Sequence, residues 1–462
     1  AEIDRALKRL FEARFRLGMF DPPSIVPYAR IPFSVNDSEK HRQLALEAAR
    51  ESIVLLKNKN NMLPLRKDLK SIAVIGPNAD EIQVLLGNYN GQPSRATTPL
   101  AGIRRRVSPQ TKVVHAAGTT LTEISVVPIP SSALRGPDGQ PGLRAEYFAN
   151  KDLKGSPALN RVDEVVNFDW GMSNPAPGIP ADDFSARWIG KLVPTMSGKY
   201  RFGAIADDGV RIYLDGKLIA EDWTQHAPRT VTGEVELQAG KSYDVKMEYY
   251  ESKIGAVAKL VWQPPVVKAA ASPYADAIKI AKEADAVVLV LGLSPQLEGE
   301  EMNVREPGFL GGDRTDIQLP ARQHGLLEAV AATGKPIVLV LMSGSALAVN
   351  WADLHVDAIV QAWYPGEEGG AAIADVLFGD YNPAGRLPVT FYKSVDQLPP
   401  FENYAMDGRT YRFFTGQPLY PFGHGLSYTN FQYSSINISS PRVKSTDKVT
   451  VSATVENAGH RA

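Results

Sequence analysis

The apolar residues of this chain follow two patterns along the first and last thirds of its length. Unbroken apolar runs at 72–75, 286–291 and 337–342 alternate with segments in which apolar residues recur at helical spacing. β-Branched residues and flanking turn residues favour buried strands for these runs. Because strands that alternate with helices form parallel sheets, these parts of the chain are predicted to be an α/β sandwich with a mostly parallel sheet.

The same patterns predict the individual elements. Helices are expected over 1–17, 39–55, 274–283, 321–332 and 369–378, and strands over 71–75, 112–115, 286–291, 337–342 and 358–362. Gly18 ends the first helix, and Asn36, Asp37 or Ser38 caps the second. The second helix is expected to bury a stripe formed by Leu44, Ala45, Ala48, Ser52 and Leu55.

Between about 128 and 265 the pattern changes to short alternating runs with many aromatic residues. Strands are predicted at 143–148, 200–204, 210–214 and 243–247, with a hairpin turn at Leu214–Lys217. Such a series is typical of an all-β sandwich. Since Pro-rich segments border it, we predict a mostly parallel α/β sandwich that is interrupted by an all-β sandwich insertion.

Composition narrows the classes of function. The 462 residues contain 44% hydrophobic and 22% charged residues, as ordinary globular proteins do. A net charge of -1 argues against a broad nucleic-acid surface, and no apolar run is long enough to span a membrane. The absence of cysteine excludes disulfides and thiolate zinc sites, and the 7 histidines show no zinc-ligand spacing. We therefore expect no cofactor and no metal.

The sequence begins within the pattern of a helix and ends close to the pattern of a strand. Residues 1–17 have a continuous helical stripe, without the features of a signal peptide, and residues 450–455 alternate as a strand does. The expectation is that this chain is a portion of a longer protein.

Candidate chemistry lies in the acidic segment that follows the run 286–291. It carries Glu298, Glu300, Glu301 and Glu306, then Asp313-Arg314. Open α/β sheets place ligand chemistry just beyond the carboxyl ends of their strands, so one of these glutamates is a candidate proton donor. A solvated acidic loop or a weak cation site is the alternative.

Several motifs, in this order, resemble those of glycoside hydrolase family 3. They are AARESIVLLKN at 48–58, LPL at 63–65, IAVIGPNA at 72–79, DR at 313–314 with LP at 319–320, GKPIVLV at 334–340, WYPGEEGG at 363–370, NPAGRLPVT at 382–390 and YPFGHGLSYT at 420–429. The resemblance covers roughly residues 36–125 and 268–430.

The resemblance implies a division of the chain. Residues 1–35 would be the last helix of a (β/α)8 barrel with a linker. Residues 36–127 and 268–429 would be the two parts of an α/β sandwich domain. Residues 128–267 resemble the protective-antigen-type sandwich that some members contain, and 430–462 the start of a fibronectin type III-like module.

In this family, retaining hydrolysis uses a nucleophilic aspartate of the barrel and a general acid/base glutamate of the second domain, with carboxyl groups about 5–5.5 Å apart. The nucleophile has no counterpart in this chain. The family's acid/base glutamate precedes an Asp-Arg pair, here Asp313-Arg314. Matching the family's common Glu-x-Glu pattern makes Glu300 the acid/base residue, whereas matching a Glu-Gly pair makes it Glu298. As candidates for this role, Glu300 is ranked first, Glu298 second and Glu301 third.

Other conspicuous residues have structural interpretations. Asp313-Arg314 is expected to fix the loop base as an ion pair rather than contact sugar. Glu367-Glu368 precede a helix start, and His424 is expected to shape its turn. Asp207-Asp208-Gly209 is interpreted as a turn, although adjacent aspartates of a related class of sandwiches bind calcium and sugar hydroxyls. Aromatic residues of the insert are expected mainly in its core, with stacking on sugar as the alternative for Trp170, Trp223 and Tyr250.

Together these features predict a retaining exo-β-glycosidase, a β-xylosidase or β-glucosidase acting on plant-type oligosaccharides or aryl and alkyl β-glycosides. This chain would supply the general acid/base and is expected to be inactive alone. The alternative is a non-catalytic carbohydrate-binding or scaffold chain. A periplasmic or secreted location and a homodimer are further expectations, with no nucleic-acid or membrane partner.

Overall fold

The computed structural model describes residues 2–91, 93–122, 126–226, 228–253, 255–265, 272–300, 302, 304, 306–459 and 461. The helices are α1 Glu2–Arg16, α2 Glu39–Ser52, α3 Pro99–Arg106, α4 Ala275–Glu283, α5 Ala321–Ala331, α6 Asn350–His355, α7 Gly369–Phe378 and α8 Thr410–Phe413. Within these residues, no helix is both long and apolar enough to cross a membrane.

The strands follow in chain order. They are β1 Val54–Asn58, β2 Ser71–Ile75, β3 Lys112–Ala116, β4 Val127–Pro128, β5 Leu134–Arg135, β6 Leu143–Phe148, β7 Leu159–Asp163, β8 Asn167–Gly171, β9 Phe184–Leu192, β10 Gly198–Asp207, β11 Val210–Leu214, β12 Lys217–Asp222, β13 Arg229–Leu237, β14 Tyr243–Glu251, β15 Ala256–Gln263, β16 Ala286–Gly292, β17 Phe309–Leu310, β18 Asp313–Arg314, β19 Ile337–Met342, β20 Ala358–Gln361, β21 Phe431–Ile438 and β22 Val451–Asn457. The chain thus has a mixed α/β fold with several sheets, in two compact units.

The first unit comprises Ala1–His115, Glu283–Pro295 and Lys335–Ala462. Its six-stranded sheet has the order β1-β20-β19-β16-β2-β3. β16 pairs in parallel with both β2 and β19, and β19 pairs in parallel with β20, whereas β1 is antiparallel to β20. Every residue of β16, β19 and β20 is buried, which explains why these strands are apolar without alternation.

The predictions for α2 are wrong in two respects. Its buried residues are Arg42 and Ala49, whereas Leu44 is 62% exposed. Leu55 belongs to the strand β1 rather than to the helix. Ile53, Val54 and Leu55 are fully buried, and this apolar run is continuous with the helical pattern. The boundary between α2 and β1 therefore could not be recognised from the apolar pattern.

The second unit comprises Ala116–Lys282 and Gln296–Gly334. Residues 127–263, here called the β module, form a five-stranded and a seven-stranded antiparallel sheet. Both sheets contribute to one core, with Phe202 and Leu260 from one and Trp188 and Met247 from the other. The alternating burial along these strands follows from one face packing on that core.

Two local features of the β module matter below. The predicted hairpin is confirmed, since Leu214 pairs with Lys217 across Asp215 and Gly216, which both have positive φ. The two ends of the module also pair with each other, because Val127 and Pro128 lie opposite Trp262 and Val261.

Candidate active-site loop

The acidic segment follows β16 in sequence and forms a loop within the second unit. Gly311 and Gly312, both with positive φ, turn the short hairpin from β17 to β18. The amide of Met302 donates to the carbonyl of Gly311 at 3.0 Å. A Cβ on Gly312 would lie 1.9 Å from the carbonyl oxygen of Gly299. The backbone around Gly299 and Met302 is therefore held directly against the hairpin.

Arg314 fixes the base of this loop. Its side chain is 11% exposed and donates to the carbonyls of Asp316, at 2.9 Å, and Gln318, at 3.2 Å. It also lies over the ring of Phe309, 5.3 Å from the centroid. The structural role expected for this arginine agrees with these contacts. Its ion-pair partner differs from the expected one, because the guanidinium pairs with Glu298 rather than with its neighbour in sequence.

The candidate glutamates occupy different environments. The side chain of Glu298 is 8% exposed, and its carboxylate lies 3.9 Å from the guanidinium of Arg314. Glu300 is exposed. Glu301, the third candidate, lies outside the described residues. The loop thus holds one candidate against its base and presents another to solvent.

Glu367 and Glu368, which precede α7, make ion pairs with Arg42 of α2. Their carboxylates lie 3.3 and 3.8 Å from the buried guanidinium of Arg42, which also donates to Asp37. The sequence pattern did not indicate Arg42, since a single arginine on a helix normally faces solvent.

His424 shapes its turn, as expected. Its ring stacks on Tyr420 at 5.0 Å, and its Nε2 lies 2.9 Å from the carbonyl oxygen of Leu56. These contacts leave its imidazole engaged within the first unit.

Of the three aromatic residues of the β module considered for sugar stacking, Trp170 packs against the core. Trp223 and Tyr250 form an edge-to-face pair at 4.9 Å, and the guanidinium of Arg211 lies 4.0 Å above the indole. The proposal that aromatic residues stack on sugar therefore concerns only the pair Trp223 and Tyr250 among the three residues considered.

Among the described residues, one group of acidic side chains is close enough to share a metal ion: Asp207, Asp208 and Glu251. The predicted turn at Asp207-Asp208-Gly209 is present, since β10 ends at Asp207 and β11 begins at Val210. Sequence patterns did not indicate Glu251, because it joins the two aspartates only through the packing of β14.

The chain is similar to known proteins over most of its length. The family model of the glycosyl hydrolase family 3 C-terminal domain matches residues 53–428. A xylan 1,4-beta-xylosidase of Xylanibacter ruminicola is 40% identical over 443 residues, which are 95% of this chain and 50% of that protein. A periplasmic beta-glucosidase of Salmonella typhimurium is 30% identical over 478 residues, 100% of this chain and 45% of that protein. The chain spans about half the length of these relatives.

Solved structures show the same likeness. The beta-glucosidase from Kluyveromyces marxianus in complex with glucose has a TM-score of 0.63 and 28% identity, over 93% of this chain and 52% of that one. A GH3 exo-beta-xylosidase in complex with a xylobiose aziridine probe has a TM-score of 0.55 and 24% identity, over 94% and 37%. The second comparison supports the fold alone.

Proposed function

This chain belongs to glycosyl hydrolase family 3, and we propose that it supplies the general acid/base of a retaining exo-β-glycosidase. The observation that carries the proposal is the match of the family's C-terminal domain to residues 53–428, a range that includes the acidic loop. Hydrolysis would be the activity of a longer protein, whose nucleophilic carboxylate lies outside this sequence.

Glu300 is the proposed acid/base residue. Its side chain is exposed, and the hairpin and Arg314 hold the surrounding loop. The carboxyl group would protonate the departing oxygen and then, as a carboxylate, activate the water that releases the sugar. Glu298 is the second candidate, and its pairing with Arg314 supports a role in holding the loop. Glu301 remains the third.

The proposed substrate is a terminal β-linked xylose, with glucose as the second choice. A relative named xylan 1,4-beta-xylosidase, at 40% identity, supports xylose, and relatives named beta-glucosidases support glucose. Oligosaccharides and aryl or alkyl β-glycosides would be the substrates of the whole protein. A relative named periplasmic supports a periplasmic or secreted location. A non-catalytic carbohydrate-binding role is not favoured, since the relatives are named as hydrolases.

The finer domain organisation is also a proposal. Residues 36–127 and 268–429 would form the α/β sandwich domain, interrupted by a protective-antigen-type sandwich at 128–267. Residues 1–35 would end a barrel, and 430–462 would begin a fibronectin type III-like module. The shared core of the β module and the pairing of its ends support an insertion.

Glutamine substitution of each candidate in the whole protein tests the assignment. Glu300→Gln should lower kcat by roughly 10²–10⁴-fold on aryl β-xylosides with poor leaving groups. The loss in kcat/KM, which reports the first step alone, should be much smaller with good leaving groups, which need no protonation, and a loop-holding residue would not produce this difference. Glu306→Gln, in the same loop, is the matched control.

Glu298→Gln and Glu301→Gln complete the series. A leaving-group dependence in one of these variants, and not in Glu300→Gln, would move the role to that residue. If none of the three variants lost more than about 10-fold in kcat, the acid/base would lie outside this loop.

A further inference from the structure

The carboxyl edge of the six-stranded sheet carries a row of buried polar side chains. Asn78 lies just after β2, Ser294 after β16 and Ser343 after β19, and Gln361 ends β20. These four strands are neighbours in the sheet, and each of the four side chains is at most 2% exposed. Because burying a polar group costs free energy, an edge that served packing alone would be filled with apolar side chains.

Hydrogen bonds satisfy this row only in part. Nε2 of Gln361 donates to the hydroxyl of Ser343 at 3.1 Å. Oε1 of Gln361, Oδ1 of Asn78 and Oγ of Ser294 have no hydrogen-bond partner among the described residues. Unpaired buried polar atoms lower stability, so their presence on three neighbouring segments of one edge indicates residues that are kept for another purpose.

Asn78 holds the chain where it leaves β16. Its Nδ2 donates to the carbonyl of Leu293, the first residue after that strand, at 2.8 Å. The amide of Leu293 in turn donates to the carbonyl of Met342, the last residue of β19, at 2.7 Å. The peptide groups on both sides of Leu293 are thus fixed, one by the segment after β2 and the other by β19.

This hydrogen bond lies where the order of the strands reverses. After β2 the chain forms β3 on one side of it, whereas β16, β19 and β20 lie on the other side. Open α/β sheets place ligand chemistry beyond the carboxyl ends of the strands at such a point. Glu300 follows Leu293 by only seven residues, so the backbone at Leu293 sets the direction in which the acidic loop begins.

We propose that Asn78 is a positioning residue for the general acid/base, acting through the carbonyl of Leu293. The inference rests on the proposed function and adds to it a residue far from the acidic loop in sequence. Without the amide of Asn78, the buried carbonyl of Leu293 would lose its donor and the start of the loop would shift. A displacement of about 1 Å of a catalytic group can cost about 10²-fold in rate.

The leaving-group dependence of kcat/KM in the whole protein tests this role. Asn78→Ala removes the hydrogen bond, and Asn78→Asp keeps the shape of the side chain but replaces the donor with a carboxylate oxygen. In both variants kcat/KM should fall roughly 10–10²-fold on aryl β-xylosides or β-glucosides with poor leaving groups. With good leaving groups, which need no protonation, it should fall less than about threefold. A loss of folded enzyme alone would lower both values by the same factor.

Asn58→Ala is the matched control. Asn58 also binds backbone within the first unit, since its Nδ2 donates to the carbonyl of Leu63 at 2.9 Å and its Oδ1 accepts the amide of Leu63 at 2.8 Å. It lies at the opposite edge of the sheet, where it pairs with Ala358 at the start of β20. Asn58→Ala should lower the thermal unfolding midpoint and leave the ratio between poor and good leaving groups unchanged.

Glu300→Gln, Glu298→Gln and Glu301→Gln are measured in parallel, so that failure of the inference is distinguishable from failure of the proposed function. A leaving-group dependence in one glutamate variant, with equal losses on all leaving groups in the Asn78 variants, would overturn the positioning role alone. No such dependence in any of the three would overturn the proposed acid/base and this inference with it. Failure of both Asn78 variants to fold would show that the amide serves the fold, and would also overturn the inference.

Discussion

At the scale of single residues, buried charges are the most sensitive positions of the first unit. Asp375 is fully buried in α7, and its carboxylate accepts from Arg50, at 2.8 Å through Nε, and pairs with Arg106. Asp375→Ala should lower the free energy of unfolding by about 3 kcal/mol, the low end for a broken buried pair, because both arginines are partly exposed. Urea denaturation measures this loss.

Asp68→Ala is the control for that prediction. Asp68 makes a bidentate contact with Arg66 at 2.8–2.9 Å, but both side chains are exposed. Its removal should leave the urea midpoint nearly unchanged. Equal losses in the two variants would contradict the idea that burial, rather than pairing, sets the cost.

Arg314 gives a second prediction at this scale. Arg314→Lys keeps the charge but loses the fork that reaches two carbonyls, so the acidic loop should loosen. Hydrogen exchange of the amides of Met302 and Gly311, which bond within the loop, should become roughly tenfold faster, equivalent to about 1.4 kcal/mol of local stability. Arg322→Lys, at the start of α5, is the control. Unchanged exchange would show that the hairpin alone holds the loop.

Residues also show where sequence patterns stop being informative. The acidic loop was predictable because its glutamates are adjacent and follow a clear strand. In the carboxylate cluster of Asp207, Asp208 and Glu251, only the two adjacent aspartates were noted. Glu251 was not, since its neighbour Ser252 is 44 residues from Asp208 and they meet only when two strands pack. Arg42 was equally hidden, because its partners Glu367 and Glu368 lie 325 or more residues away.

At the scale of elements, two helices of the first unit approach closely through glycine. A Cβ on Gly102 of α3 would lie 1.9 Å from the carbonyl oxygen of Gly370 in α7. Alanine normally favours a helix by about 1 kcal/mol over glycine, but here it meets rigid backbone. Gly102→Ala should therefore destabilise the unit, by about 1–3 kcal/mol or more.

Thermal or urea unfolding measures that change. Gly87→Ala is the control, since a Cβ there would meet nothing within 4 Å and the residue does not require positive φ. A stabilised Gly102→Ala variant would show that the helices can move apart at little cost.

The bounds of helices and strands were predicted best where the apolar residues follow one clear periodicity. β2, β19 and α7 have the predicted bounds, because their apolar runs or helical stripe end at turn residues. β1 was missed because its apolar residues continue those of α2. No sequence period distinguishes a helix that runs directly into a buried edge strand.

At the scale of the whole molecule, the β module is expected to fold by itself. Its core contains only residues 129–262, and its first strand pairs with its last. Residues 126–265 produced as a separate polypeptide should show a β-type circular dichroism spectrum and cooperative urea unfolding. A spectrum of an unfolded chain, with the 462-residue chain folded, would contradict this independence.

The pairing of β4 with β15 also affects the order in which the chain assembles. β2 and β16 become neighbours in the six-stranded sheet although more than 200 residues separate them. If the β module folds first, its joined ends shorten this separation to about 75 residues, those of 75–127 and 262–286. With a loop-closure cost of about 0.6 kcal/mol per doubling of length, this reduces the entropic barrier by about 1 kcal/mol. The β module would then hold the two parts of the sheet near each other, and a β module that folds slowly would delay the pairing of β2 with β16.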